Sequence, residues 1–428
     1  MKKIYILDSF KKKQNYDLIC FLIGIFLLPS AFIISGIFLL TALIISTIKY
    51  RSINKFFKDQ WNISFLIASL LMILSALMQS FNNKNLIQYD LDINLTWIGL
   101  LNWLPFFWLF WGFKPYLNSP AKRRICGLML LTGTVPVIFS GLGQVFFNWN
   151  GPISTLYNTI IWYQRPIEIV KGLTGLFNNQ NYAGSWLNIV WPFSLALLIE
   201  VKGKIYEKIT LYFYIFSLSL SIILTNSRSA WLGIITGSIF FFGKKSYGTL
   251  KNIFMFIMAV LIASIYPTSR EYIIKIGNTI IPDPIISEFS DFQYSRIDIW
   301  FKGIDTVLKH PLFGTGAGSF PSIFQMETGL WKGHAHNLPL ELIISYGIPA
   351  GICVIVPIIF LTFLSIKNLF SKKKIIQNIL FEKAWIVALF ILLLSQMLDV
   401  QYFDGRISIV LWLLLSGTKN IISEKTFN

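Results

Sequence analysis

The sequence predicts an all-α polytopic membrane protein of about 12 transmembrane helices. Three observations predict it. Of 428 residues, 54% are hydrophobic and only 13% are charged, about half the charge of a soluble domain, and the mean hydropathy is +0.62. Apolar runs recur along the whole length, and about 18 such residues cross the ~30 Å hydrocarbon core as a helix. The charges sit between the runs, and Lys-rich connections alternate with Lys-poor ones, as loops on the two sides of a membrane do.

The apolar runs fall at 18–29, 31–48, 61–81, 94–113, 125–147, 184–200, 209–225, 229–243, 250–267, 337–366, 381–398 and 407–421. The first follows a basic leader and continues without a small-residue cleavage site, so it reads as a retained anchor and not as a signal peptide. Pro29-Ser30 divides 18–48 into a hairpin of two helices. Charge decides this point. With Lys2, Lys3, Lys11, Lys12 and Lys13 in the cytoplasm, a hairpin returns Lys49, Arg51, Lys55 and Lys58 to the same side. The basic connections around Lys122, Lys204, Lys245 and Lys373 then follow on that side, whereas a single helix inverts them all. Residues 1–267 thus form a membrane domain with the first nine spans, 268–336 a large periplasmic loop, and 337–428 the C-terminal spans of the same domain. The loop contains amphipathic helical stretches such as 294–309, and a second long outer segment covers 148–183. Long loops of this kind often carry function.

On this topology 26 of the 37 basic residues and 7 of the 20 acidic ones lie inside. The formal net charge of +17 divides into about +19 inside and −2 outside. Orientation therefore accounts for the basic surplus, the bilayer is the implied partner, and no nucleic acid is expected. Cys20, Cys126 and Cys353 lie far apart inside apolar runs, as small buried residues do. Neither a disulfide framework nor a metal site is indicated.

The informative charges are the outer ones. Only three of the inner basic residues are Arg, against five of the eleven outer ones: Arg165, Arg228, Arg270, Arg296 and Arg406. Topology needs only charge, whereas the planar guanidinium fork binds phosphate or carboxylate bidentately, so the enrichment points to an anionic ligand. Arg228, in TNSRSAW, stands between two apolar runs at the membrane boundary, where ionisable residues have a partner or a function. His310, His334 and His336 all lie in the large outer loop, suited to proton transfer or phosphate contact. No Cys and few carboxylates lie near them in sequence, which disfavours a metal. GTGAGSF (314–320) lacks the strand of a dinucleotide motif and reads as a tight turn with backbone N–H groups able to meet an anion. NNQNYAG (178–184) is an amide-rich helix start whose Asn178 and Asn181 suit sugar or phosphate contacts. Asp399 and Asp404 read as solvated loop charges.

Taken in order, NNQNYAG, NSRSAWLG (226–233), SRIDIW (295–300), HPLFGTGAGSF (310–320) and HAHNLPLELIISYGIPAG (334–351) resemble the O-antigen ligase/polymerase superfamily of bacterial envelope glycosyltransferases. The resemblance covers 178–410 in detail and the whole chain in outline. The tail LDVQYFDGRISIVLWLLL (398–415) resembles the branch of this family once labelled inorganic-carbon transporters. It implies a GT-C-like, metal-independent, inverting enzyme of the inner membrane, both termini cytoplasmic and the active site periplasmic. The implied donor is a polyprenyl-pyrophosphate-linked glycan, and the acceptor is a lipid A-core sugar for a ligase or another glycan for a polymerase. By the same resemblance Arg228 and Arg296 hold the pyrophosphate, and His336 serves the acceptor hydroxyl as base or orienter. Arg165, Asn178, Asn181, His310, His334, Asn337 and Arg406 are the expected substrate contacts, and no cofactor is implied. The contrasting class is a small-anion transporter of the bicarbonate kind. That class needs charged or broken helices at mid-membrane, whereas these spans are nearly charge-free, with Pro105 and Pro136 inside two of them.

Overall fold

The computed structural model of the chain describes residues 16–81, 92–243, 296–370 and 379–426, with the single residue Gly248. The expected span 250–267 and the first part of the expected loop, 268–295, lie outside the described residues.

Each of the other eleven apolar runs is helical. Among the described residues, nine helical spans of 18 residues or more are apolar enough to cross a membrane, and two further apolar helices are shorter. In chain order the first helices are α1 (Tyr16–Leu27), α2 (Phe32–Tyr50), α3 (Gln60–Phe81), α4 (Ile93–Leu100), α5 (Leu104–Gly112), α6 (Pro120–Gly133) and α7 (Val135–Phe147). An antiparallel hairpin follows, β1 (Ile153–Thr155) with β2 (Ile160–Trp162), and then the single turn α8 (Ile167–Val170). The remaining helices are α9 (Gln180–Glu200), α10 (Ile205–Leu224), α11 (Arg228–Phe242), α12 (Arg296–Lys309), α13 (Phe320–Thr328), α14 (Leu338–Tyr346), α15 (Ile348–Phe370), α16 (Ile379–Gln396) and α17 (Gly405–Thr426). The hairpin expected for 18–48 is present as α1 and α2, and the amphipathic stretch expected at 294–309 is α12.

Three spans expected as continuous are broken in two. Pro105 and Pro136 do not kink helices; each sits in the first turn of a second half-helix, α5 and α7, where its missing N–H removes no hydrogen bond. The third break is at Gly347, between α14 and α15, with φ +86°. A Cβ there would meet the Leu312 carbonyl oxygen at 2.2 Å, so this turn needs glycine.

The core lies where α9, α16 and α17 pack, around the buried rings of Trp186, Trp385 and Trp412. Exposed apolar side chains such as Phe213 on α10 and Phe363 on α15 face outward, where lipid covers them without cost. The helix α17 runs the length of the bundle, about 33 Å at 1.5 Å per residue. It begins near the histidines and ends among the lysines. At that basic end Arg123 is buried with Nε 2.7 Å from Glu382 and Nη2 2.7 Å from Glu424, and its Nη1 donates to the Leu117 carbonyl.

Candidate active site

The residues at the histidine end come from four separate stretches. His334 and His336 precede α14, whose N-cap is Asn337: its Oδ1 accepts from the Leu340 N–H at 3.0 Å, and Pro339 fills the first turn. Glu341, on α14 and fully enclosed, reaches back and accepts the Ala335 N–H at 2.8 Å. This pins the His-Ala-His segment, in which His336 adopts φ +50°, uncommon for a residue with a Cβ.

Asp399 belongs to the connection between α16 and α17. Tyr402 holds that connection: its hydroxyl donates to the Asn102 carbonyl at 2.6 Å and accepts from the Trp412 indole at 2.9 Å, and its N–H donates to Gln396. The carboxylate is thereby carried to the histidines. Asp399 Oδ1 lies 2.9 Å from His336 Nδ1 and 3.6 Å from His334 Nε2, and Asp399 Oδ2 accepts from Asn181 Nδ2 at 2.9 Å. Asn181 sits in the first turn of α9, which Asn179 caps. The expectation for Asp399 and Asp404 is corrected here. Both are buried, at 7% and 8% side-chain exposure, because the turn folds back into the bundle.

Electrostatics follow from this packing. Burial raises the Asp399 carboxyl, but the hydrogen bond from His336 and the nearby imidazoles outweigh it, and the group stays below the usual carboxylate range. An ionised Asp399 only accepts, so the proton of neutral His336 is on Nδ1 and Nε2 carries the free lone pair. Burial pushes His334 down to about 4, with the Arg296 charge acting the same way and the Asp399 carboxylate opposing it. His334 is therefore neutral at pH 7, with its Nδ1 accepting the His336 N–H at 3.2 Å.

The structure brings some predicted residues together and separates others. Arg296 begins α12, which packs on α14, close enough for its charge to act on His334. Arg228 begins α11 and is half-buried. It stands at the same end as Asn181, because the first turns of α9 and α11 meet: a Cβ on Gly184 would lie 2.7 Å from Ala230, and Asn188 Nδ2 donates to the Ala230 carbonyl. Asn337 Nδ2 donates to the Met397 carbonyl at 3.1 Å. Arg406 forms a bidentate pair with Asp404 and covers the Phe177 ring at 3.8 Å. Asn178 and Arg406 share a cavity of about 320 Å³ with Tyr163, Tyr182, Phe403 and Asp404. Arg165 is exposed, held by its backbone to Gln144 and Thr174. His310 is apart from the cluster, at the other end of the 14-residue α12 from Arg296, about 20 Å along the helix. The N–H groups of Thr315 and Gly316 donate to the carbonyls of Ile344 and Ser345, so the glycine turn docks on α14 and does not offer those groups to an anion.

Sequence reasoning missed Asp399 and Glu341. The disfavouring of a metal rested on sequence spacing, and a separation of 63 positions hid the carboxylate that folds onto the histidines. His334, His336 and Asp399 place three ligand-type atoms within 4.8 Å. Within this group the His336 imidazole and the Asp399 carboxylate form a hydrogen-bonded pair. Below the cluster, Leu338 and Met397 also line an apolar cavity of about 550 Å³, which continues past Leu342, Val354, Leu394 and Trp412.

The O-Antigen ligase family model matches residues 213–355, a stretch that includes Arg228, Arg296, His334 and His336. The ComP-specific O-oligosaccharyltransferase of Acinetobacter baylyi (strain ATCC 33305 / BD413 / ADP1) is 27% identical over 394 residues. Over these stretches the chain is similar to O-antigen ligases and to an O-oligosaccharyltransferase. The alignment covers 84% of this chain and 65% of that relative, so the chain spans about two thirds of the relative's length. Asn181 and Asp399, which complete the imidazole cluster, lie outside the segment that the family model matches.

Proposed function

We propose that this protein is an outer-leaflet glycosyltransferase that moves a polyprenyl-pyrophosphate-linked glycan onto an acceptor hydroxyl, in the manner of an O-antigen ligase with a lipid A-core acceptor. The observation that carries the proposal is the His336–Asp399 pair, each member two residues along the chain from Leu338 or Met397, which line an apolar cavity. The cavity suits an isoprenoid chain, whose pyrophosphate then lies at the histidine end near Arg228 and Arg296. The pocket beside it, with Tyr163, Tyr182, Phe403 and Asn178, suits sugar rings through apolar faces and a few polar groups.

The reaction is a single displacement. The acceptor oxygen attacks the anomeric carbon, its proton passes to His336 Nε2, and the bond from that carbon to the pyrophosphate oxygen breaks with its electron pair. Asp399 holds the imidazole in the tautomer that leaves Nε2 free and stabilises the imidazolium that forms. Arg228 and Arg296 take up the charge developing on the departing pyrophosphate, which fixed cations at a low-dielectric boundary do well. One displacement inverts the anomeric centre. The site lies on the periplasmic face, with both termini in the cytoplasm, and needs no metal.

The test is replacement in a strain lacking the gene. Arg228→Ala, Arg296→Ala and His336→Ala should each abolish long glycan on lipid A-core while the protein still inserts; normal glycan in all three overturns the proposal. Two further readings use the same site. The relative's name supports a protein hydroxyl as acceptor, read out as glycan on a polypeptide; a polymerase leaves single-repeat caps on lipid A-core when deleted. A small-anion transporter is less favoured, because the ionisable cluster lies at one end of the bundle and not at its middle.

A further inference from the structure

At the end of the bundle opposite the histidines, a concavity of about 440 Å³ opens between the α2–α3 connection, Lys114 and the last turns of α17. Lys55, Lys58, Lys114 and Lys419 line it with one acid, Asp59. That acid is engaged: Lys419 pairs closely with it, Lys114 Nζ is 4.0 Å away, and its Oδ1 accepts the Trp61 N–H. The pocket keeps a surplus of three positive charges. Lys55 and Lys58 are exposed and have no carboxylate within 4.0 Å among the described residues. On the same connection Ile53 and Phe57 are 81% and 75% exposed, while Trp61 stacks on Phe360 of the apolar α15.

We propose that this pocket binds the phosphate headgroup of an anionic phospholipid from the surrounding leaflet. A water-soluble anion would match the lysines and leave Ile53 and Phe57 bare. A phospholipid matches both, presenting phosphate to the lysines and acyl chains to the apolar side chains beside them. The arrangement is a basic recess between transmembrane helices at the headgroup level, where anionic lipids are recognised. It involves none of the residues proposed for glycan transfer, so it stands or falls separately from that reading.

The experiment is native mass spectrometry of the purified full chain in detergent, titrated with phosphatidylglycerol or phosphatidylcholine of equal acyl chains. The wild type should retain phosphatidylglycerol preferentially. Lys55→Gln/Lys58→Gln should weaken that binding about 30-fold, the factor expected for two lysine charges near an anionic surface. Lys202→Gln/Lys204→Gln, exposed at the same end but outside the pocket, should leave it unchanged. Inorganic phosphate at millimolar concentration should fail to displace the lipid. Equal retention of the two lipids, equal weakening in both double variants, wild-type binding by the first, or displacement by free phosphate would each overturn the assignment. The substituted lysines are exposed, so thermal unfolding should match the wild type and separate lost binding from lost fold.

Discussion

His336 Nδ1 lies 2.9 Å from Asp399 Oδ1, across 63 residues of sequence. The second carboxylate oxygen is held by Asn181, so the carboxylate cannot rotate away and the imidazole has one favoured orientation. Asp399→Asn keeps the shape but removes the charge and one of the two acceptor oxygens that Asn181 and His336 use, so the tautomer is no longer fixed. Transfer should fall by about 10²–10⁴ in kcat, the usual worth of a positioned proton acceptor, with a much smaller change in KM. Initial rates with a lipid-linked donor would check this, and an unchanged kcat would remove Asp399 from the mechanism.

His334 provides a pH signature of the fold. Its folded value of about 4 lies below the ordinary 6.5, so between these values the unfolded chain binds the extra proton and stability rises with pH. Stability is complete above pH 6.5 and is lost as pH falls toward 4, by on the order of 3 kcal/mol. Asp399, held below its ordinary range, adds a loss of the same sign at still lower pH. His334→Gln should flatten the slope of melting temperature against pH between 4 and 6.5; an unaltered slope would contradict the burial argument.

Glu341 accepts the backbone N–H between the two histidines. Glu341→Ala leaves that buried donor without a partner, at a cost of about 1–3 kcal/mol, and frees the His336 backbone. Glu341→Gln keeps an acceptor oxygen and should restore most of both stability and kcat. If the two variants behave alike, the contact is not what positions the histidines.

Gly314 adopts φ +63°, and a Cβ there would meet the Ile344 carbonyl oxygen at 2.4 Å. Gly314→Ala should therefore destabilise the chain by about 1–2 kcal/mol or more from the left-handed backbone alone, and should loosen α14 with its histidines. A thermal-shift measurement beside an activity assay would show both falling together.

Removing Arg123 takes from buried Glu382 its guanidinium partner at 2.7 Å, and breaking such a buried pair costs about 3–5 kcal/mol. Arg123→Ala should lower the melting temperature sharply, whereas a paired replacement of Arg123 and Glu382 by apolar residues should recover much of it.

What could be read along the chain was whatever is encoded locally. Hydrocarbon thickness and hydropathy delimit the spans, and the hairpin at Pro29-Ser30, the amphipathic stretch 294–309 and the helix start within 178–184 rest on neighbouring residues. Arg228, Arg296 and His336 stood out because charge and histidine are rare in an apolar chain. The breaks at 101–103 and 134 were less legible: Pro105 and Pro136 mark positions, but whether proline kinks a span or starts a new one depends on the packing of both halves.

Sequence by itself determined that the protein is a helical membrane protein, and it set the expectation of which charges serve orientation and which few are left for chemistry. These follow from transfer energies that each segment meets alone. Only the tertiary structure decided that Asp399 is buried against His336, that Glu341 holds the segment between the histidines, that His310 stands apart, and that an apolar cavity opens below the cluster. Those relations join residues tens to hundreds of positions apart, and a carboxylate becomes a partner instead of a solvated charge only when packing excludes water around it.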